Sequence, residues 1–385
     1  MTRSALVKSL ASASFLAVCV VAGPASAQSA RDQVLAVSKA TIELSGAKVT
    51  WGRIDGDDAK FTVTGTTIKN TTEGKSSTLG VQTLTFVGAK PTSDGGFTAD
   101  EIGFDKLEIA ESDGKLTIDH ASATKVVARA PEVVKKTNGL ANMLEAFEMT
   151  GIVVVGEDKK TIPIVSVRAT SADWVDGMPR KGSLDIRGIT VPIDPKDDGA
   201  KELIALGYGT VSADVSISGS WDDKTGRLEV QQTTAGANMG GLEIALAIGG
   251  LTPDVIAKMR AAGEDQAKQL ELLQGLTLEK ARVRWSDASL TGRILSAQAK
   301  DQGVDVPTFT KQIKLMVPML VSMIGNKDFE GKITKAAGAY LDAPKSLTVT
   351  AKPAQPMPLA QLMGAAMMAP QSLPTVLGAD VTAND

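Results

Sequence analysis

From about residue 45 to residue 250 the chain alternates apolar and polar positions with period two. In the stretch VSADVSISGSW, Val211, Ala213, Val215, Ile217 and Trp221 share one phase, and Ser212, Asp214, Ser216 and Ser218 take the other. That spacing predicts a strand with one buried and one wet face. GLEIALAIGG alternates through Leu242, Ile244, Leu246 and Ile248, and KLTIDHA through Leu116 and Ile118. In SLDIRGITVPI the phase slips at Gly188, as at a β-bulge. Asp/Gly-rich turns (IDGDDAK, TTEGKSS, SDGGF, SDGKL, GEDKK, DKTGR) punctuate these runs and predict a long antiparallel meander. One interruption, PEVVKKTNGLANMLEAFE over 131–148, has helical spacing.

After Gly250 the pattern changes. Thr252 followed by Pro253 reads as an N-cap with proline in the first turn. Helical spacing then alternates with short strands: LTLEKARVRW and KSLTVTA read as strands, and SLTGRILSAQAKDQG, TFTKQIKLMVPMLVSMIG, FEGKITKAAGAYLDA and PLAQLMGAAMM as helices. The expected fold class is therefore α+β. A long, twisted antiparallel β-meander over 28–250, curled around the 131–148 helix, precedes a helix-rich mixed α/β region over 251–385.

The N-terminus reads as an export signal and stands outside this pattern. Arg3 and Lys8 form a basic start, LASASFLAVCVVAG a short apolar run, and PASA an A-x-A-like cleavage site ending at Ala27. The run is shorter than the roughly 20 residues a membrane-spanning helix needs. Cys19 follows Val18, where a lipidation signal requires a small residue. Cleavage after Ala27 leaves 358 of the 385 residues, destined for a bacterial periplasm. Cys19 is the single cysteine, so an exported chain without disulfides must rest on a packed core. Removing Arg3 and Lys8 from the 41 basic residues leaves 39 against 44 acidic ones, a balance that does not favour nucleic acid. No later segment is long and apolar enough to span a membrane as a helix.

The candidate chemistry is thin. SATK (Ser122–Lys125) and Lys224-Thr225-Gly226 spell two motifs of penicillin-binding enzymes. The first lies in a predicted strand, where positions three apart point to opposite faces. The second lies in a predicted turn, with Trp221 opposite Leu228, Asp222 opposite Arg227 and Gly226 available for positive φ. His120, the single histidine, falls in phase with Leu116 and Ile118 and is expected to be partly buried. One histidine excludes a multi-histidine zinc site and makes a catalytic triad an unattractive reading. Asp55, Asp57, Asp58, Asp197 and Asp198 lack calcium-loop spacing and read as solvated turn carboxylates. GKSS and GANMGG fail the phosphate-loop templates. Trp221 and Trp285 end strands in the apolar phase and read as core. No catalytic residue, metal ligand or cofactor is expected.

LMVPMLVSMIG (315–325) is apolar around its whole circumference and carries Pro318. Seven of the thirteen methionines crowd the last seventy or so residues. One reading is a buried helix in a Met-rich core. The other is an adaptable apolar groove formed by Met316, Met319, Leu320, Met323, Met363 and Met367, because flexible thioethers re-pack around varied ligands.

The stretches SGSWDDKTGRLEV, GLTLEKARVRWSDASLTGRILSAQAKDQG and PKSLTVTAKPAQPMPLAQLMGA together resemble uncharacterised β-rich envelope proteins of alphaproteobacteria, over about 211–385. More distantly, the export signal and meander resemble the AsmA/YdgA type of periplasmic protein. The resemblance implies a role at the cell envelope and transfers no catalytic residues. The expectation is a non-enzymatic periplasmic protein supporting envelope organisation, with a lipid or other apolar ligand. The alternatives are a periplasmic hydrolase using dispersed carboxylates and a scaffold docking an envelope protein.

Overall fold

A computed structural model describes residues 29–72, 75–111, 114–137, 142–197, 199–263 and 265–385. The predicted export signal, Asp198 and residues 138–141 of the predicted 131–148 helix lie outside them. The chain divides into two compact units, one up to Pro192 and one from Ile193. The compositional change near residue 250 falls inside the second unit. The strands on its two sides pair directly, so backbone hydrogen bonding overrides the change of pattern.

The first unit comprises α1 (Ala30–Leu44), β1 (Lys48–Thr50), β2 (Arg53–Gly56), β3 (Lys60–Thr72), β4 (Lys75–Val87), β5 (Lys90–Pro91), β6 (Phe97–Glu111), β7 (Gly114–Ala128), α2 (Pro131–Thr137), β8 (Ala146–Val155), β9 (Thr161–Val175) and β10 (Met178–Pro192). β1 and β2 lie along β3; β4, β6, β7, β8, β9 and β10 follow as an antiparallel meander. β5 extends the β4 side of β6. Ser29 caps α1 by accepting the Asp32 N–H. The helix contributes Val34, Leu35 and Val37 to the core, against Phe61, Phe86, Phe97, Phe104 and Ile152. The predicted 131–148 helix is cut short: α2 ends at Thr137, and Ala146–Val155 is a strand. Pairing on both sides, to β7 and β9, decides the conformation of Ala146–Glu148 against their helical spacing.

Seven strands of this sheet share one irregularity. Their inward-facing residues switch phase at a single line, so that each strand carries an inward pair three apart instead of two. The pairs are Val63/Thr66, Val81/Leu84, Phe104/Leu107, Ile118/Ala121, Met149/Ile152, Ile164/Val167 and Ile186/Ile189. The registers place Gly65, Gln82, Lys106, Asp119, Gly151, Val165 and Gly188 in one cross-strand row at that line. Gly65, Lys106, Gly151 and Gly188 have φ of 84°, 50°, 62° and 66°. Positive φ on alternate strands lets every strand place one more residue outward without losing register, which bends the sheet along the row. The slip at Gly188 is thus one end of a feature crossing the whole unit.

This row also corrects the placement of His120. The phase switches between Ile118 and Ala121, so His120 faces water, with its Nδ1 2.8 Å from Asp105 Oδ1.

The second unit comprises α3 (Ala200–Ala205), β11 (Thr210–Asp222), β12 (Arg227–Gly236), β13 (Gly240–Gly249), α4 (Pro253–Ala262), α5 (Gln266–Leu273), β14 (Thr277–Asp287), α6 (Leu290–Asp301), α7 (Val306–Val321), α8 (Lys327–Asp342), β15 (Ser346–Ala351), β16 (Met357–Pro358), α9 (Leu359–Met368), α10 (Leu373–Val376) and β17 (Asp380–Ala383). β11 to β14 form a meander, continued by β15 and β17, with β16 beside the start of β14. Both units are thus antiparallel sheet with helices, the α+β class expected.

The β11–β12 hairpin has the predicted register, Trp221 opposite Leu228 and Asp222 opposite Arg227. Gly226 has φ 70°. Asp222 and Arg227 stand opposite one another but do not pair with each other. Asp222 instead accepts from the Lys224 N–H and the Thr225 hydroxyl, while Arg227 pairs with Glu229 and Glu279. A carboxylate at the mouth of a turn is better satisfied by the turn's own N–H groups, an Asx-type arrangement.

Candidate functional site

The acyl-transfer spellings are not a site. Ser122 lies in β7 opposite Gly103 and Glu148. Lys125, three residues on, has φ 50° and donates to Asp100 at 2.7 Å. The Asp100 carboxylate raises the Lys125 pKa, the wrong direction for a lysine that must give up its proton to activate a serine. Lys224 sits exposed in the β11–β12 turn. Of the turn carboxylates, Asp57 accepts from the N–H groups of Ala59 and Lys60, and those bonds lower its pKa. Among the described residues no cluster of three or more His, Cys, Asp or Glu side chains is arranged to hold a metal.

The Met-rich segment presents a different picture. Asp305 caps α7 by accepting the Thr308 N–H, and Pro307 occupies the first turn, where its missing N–H costs nothing. Phe309 and Ile313 face inward, packed with Leu295, Ala299 and Leu341 of α6 and α8. Leu315, Met319 and Met323 turn away from that contact, and Met316 and Leu320 continue the Phe309/Ile313 side at i+7, beyond the turns that it covers. All five are exposed: Met319 at 64% and Met323 at 90% of their surface. The last turns of the helix are apolar around their circumference, and the protein covers only part of it: Val317 and Val321 are half-buried while the five residues above are exposed. The expectation of a buried helix in a Met-rich core is overturned.

The second Met-rich segment behaves alike. In α9, Met363, Met367 and Met368 are exposed, Met367 at 85%. The two segments are tethered: the Asn326 side-chain amide, just beyond α7, donates to the Gln371 carbonyl and the Thr375 hydroxyl at 3.0 Å each. Asn326 also caps α8 by accepting the Phe329 N–H. One residue therefore holds the end of α7, the start of α8 and the turn after α9. Sequence reasoning found six of these exposed residues and missed Leu315 and Met368, which the same helical spacing would have added.

A separate cavity of about 770 Å³ lies along α6. One helical face, Ser289, Gly292, Arg293, Ser296, Ala297 and Lys300, forms its wall; Leu206, Asp287 and Pro344 complete it. The sequence reading did not single it out, because its walls come from segments some eighty residues apart.

In class, the chain is an α+β protein whose second unit carries an exposed apolar helical surface. A family model described as "Uncharacterized protein" matches residues 233–384, from within β12 to just past β17. A comparison with curated proteins finds no match. Among the described residues no helix is long and apolar enough to cross a membrane.

Proposed function

We propose that this chain is a non-enzymatic protein of the bacterial periplasm that supports envelope organisation by binding lipid acyl chains on the α7–α9 surface. One observation carries the reading: Leu315, Met316, Met319, Leu320 and Met323 form a continuous exposed stripe, joined through Asn326 to exposed Met367 and Met368. Contiguous exposed apolar surface on this scale marks an interaction site. Acyl chains suit it because the stripe offers no charge and no hydrogen-bonding side chain, while unbranched thioethers adapt to a mobile hydrocarbon. Lys311, exposed one turn before the stripe, supplies positive charge at its edge, where anionic headgroups would lie; Lys314 is paired with Asp342.

The test is co-sedimentation with vesicles of phosphatidylethanolamine and phosphatidylglycerol, together with native mass spectrometry of protein purified from the periplasm. The expected result is vesicle binding or retained lipid in the parent chain, and loss of both in the double variant Met319→Glu, Met323→Glu. These positions are exposed, so the variant keeps its fold. Absence of lipid by both methods, or binding unchanged in the double variant, overturns the reading. Recovery of a stoichiometric protein partner on the same stripe would favour an envelope scaffold instead.

A further inference from the structure

The α6 cavity carries two cations, Arg293 and Lys300, against the single carboxylate of Asp287. Arg293 is held in place by neutral groups: its Nε donates to Ser289 Oγ at 3.1 Å, its Nη1 to the Leu206 carbonyl at 2.8 Å, and its guanidinium lies 4.7 Å above the Tyr208 ring. Its Nη2 group has no partner among the described residues, and neither Arg293 nor Lys300 forms an ion pair there. Lys300 stands seven residues on, two turns and about 10 Å along the same face, a distance that two long side chains can close on one group. Asp287, the carboxylate in the wall, already accepts the Thr291 N–H at 2.9 Å. The Ser296 hydroxyl in the wall donates to the Gly292 carbonyl at 2.8 Å, which leaves the two cations to hold an anion. The rest of the wall is Ala205, Leu206, Ala288, Gly292, Ala297 and Pro344, small and apolar.

The cavity is an open groove on the surface, and its volume is large enough to seat a small molecule over its apolar floor. Arg293 is pre-positioned by its bonds to Ser289 and Leu206, so binding an anion there costs little side-chain ordering. We infer that the α6 cavity binds an amphipathic small molecule through its oxyanion, a phosphate or a carboxylate, using Arg293 and Lys300, with the short apolar part against Ala297, Leu206 and Pro344. This site does not depend on the α7–α9 reading and uses none of its residues.

The experiment is isothermal titration calorimetry of the full chain with dihexanoyl phosphatidate, octanoate and inorganic phosphate, at low and high salt. Two variants avoid the residue that also supports the fold. Lys300→Glu reverses an exposed, unpaired charge. Gly292→Leu fills the cavity, since a Cβ there meets nothing within 4 Å. Losing a charge-assisted hydrogen bond weakens binding by roughly tenfold or more, so that loss is expected in Lys300→Glu. Gly292→Leu is expected to reduce binding of the two amphiphiles more than that of phosphate. Preference for phosphatidate over octanoate identifies the phosphate class, and the reverse the carboxylate class. Failure of all three probes to bind, or equal affinity in either variant for the amphiphile that binds, overturns the inference. Binding of phosphatidate lost only in Met319→Glu, Met323→Glu would overturn it too while leaving the proposed function standing.

Discussion

Trp285 donates its indole N–H to the Tyr340 hydroxyl at 3.0 Å, and that oxygen also meets Thr291 Oγ1 at 2.5 Å. One phenol thereby joins β14, α8 and α6, the last of which lines the cavity. Tyr340 is nearly buried, so its polar partners have little access to replacement water. Tyr340→Phe removes the acceptor of a partly buried donor and is expected to cost about 1–3 kcal/mol. Urea denaturation followed by tryptophan fluorescence measures it. An unchanged midpoint would show that the three elements hold without this bond.

The β11–β12 hairpin separates an anchor from a decoration. Trp221 is 6% exposed and donates its indole N–H to the Leu251 carbonyl at 2.8 Å. Trp221→Ala should cost roughly 3–5 kcal/mol. Lys224→Ala should cost almost nothing, because Asp222 takes the backbone N–H of position 224 and not its side chain. Thermal unfolding of the two variants side by side is the check.

The bend row in the first unit makes two opposite predictions. At Gly188, φ is 66° and an added Cβ would come within 2.4 Å of Val165 Cγ2. Gly188→Ala therefore combines a left-handed backbone penalty of about 1–2 kcal/mol with a clash. Thr66, beside Gly65, is 2% exposed, and its hydroxyl has no hydrogen-bond partner. Thr66→Val keeps the shape and removes the unsatisfied group, so it should stabilise by about 1–2 kcal/mol. Denaturant midpoints moving in opposite directions would confirm both.

Asp385 gives the chain a defined acid sensitivity. Burial opposes its ionisation, but bonds from the hydroxyls of Thr382, Ser346 and Thr348 and the charge of Arg284 outweigh it and hold the carboxyl at about 2. A carboxyl whose pKa is depressed on folding contributes stability above its unfolded value and loses it as pH falls through the folded one. That contribution should be fully present above about pH 4 and disappear toward pH 2. Asp385→Asn should lower stability at neutral pH and flatten the fall in that window, measured by denaturation across a pH series. An identical pH profile in the variant would refute it.

Much of the fold was legible because the signals are local. The β11–β12 register follows from alternation plus a turn ending in Gly226, and no distant residue alters it. The bend row was legible at one point only, Gly188. A search for inward pairs three apart on successive strands would have found the rest, since Ile118/Ala121 and Phe104/Leu107 carry the same spacing. The short helix α2 was misjudged because Ala146–Glu148 have helical spacing, and only the two flanking strands reveal that their backbone groups are claimed by a sheet.

The sequence by itself determined the alternation, the turns, the helix cap at Thr252, and the apolar character of 315–325, all set by neighbours within a few residues. The tertiary structure decided which apolar faces are covered. Periodicity shows that a side chain is apolar, but burial depends on what packs over it. α6 and α8 cover Phe309 and Ile313, and nothing among the described residues of this unit buries Met319 and Met323. The α6 cavity is of the same kind: Leu206, Arg293 and Pro344 meet only because the chain returns to that place three times.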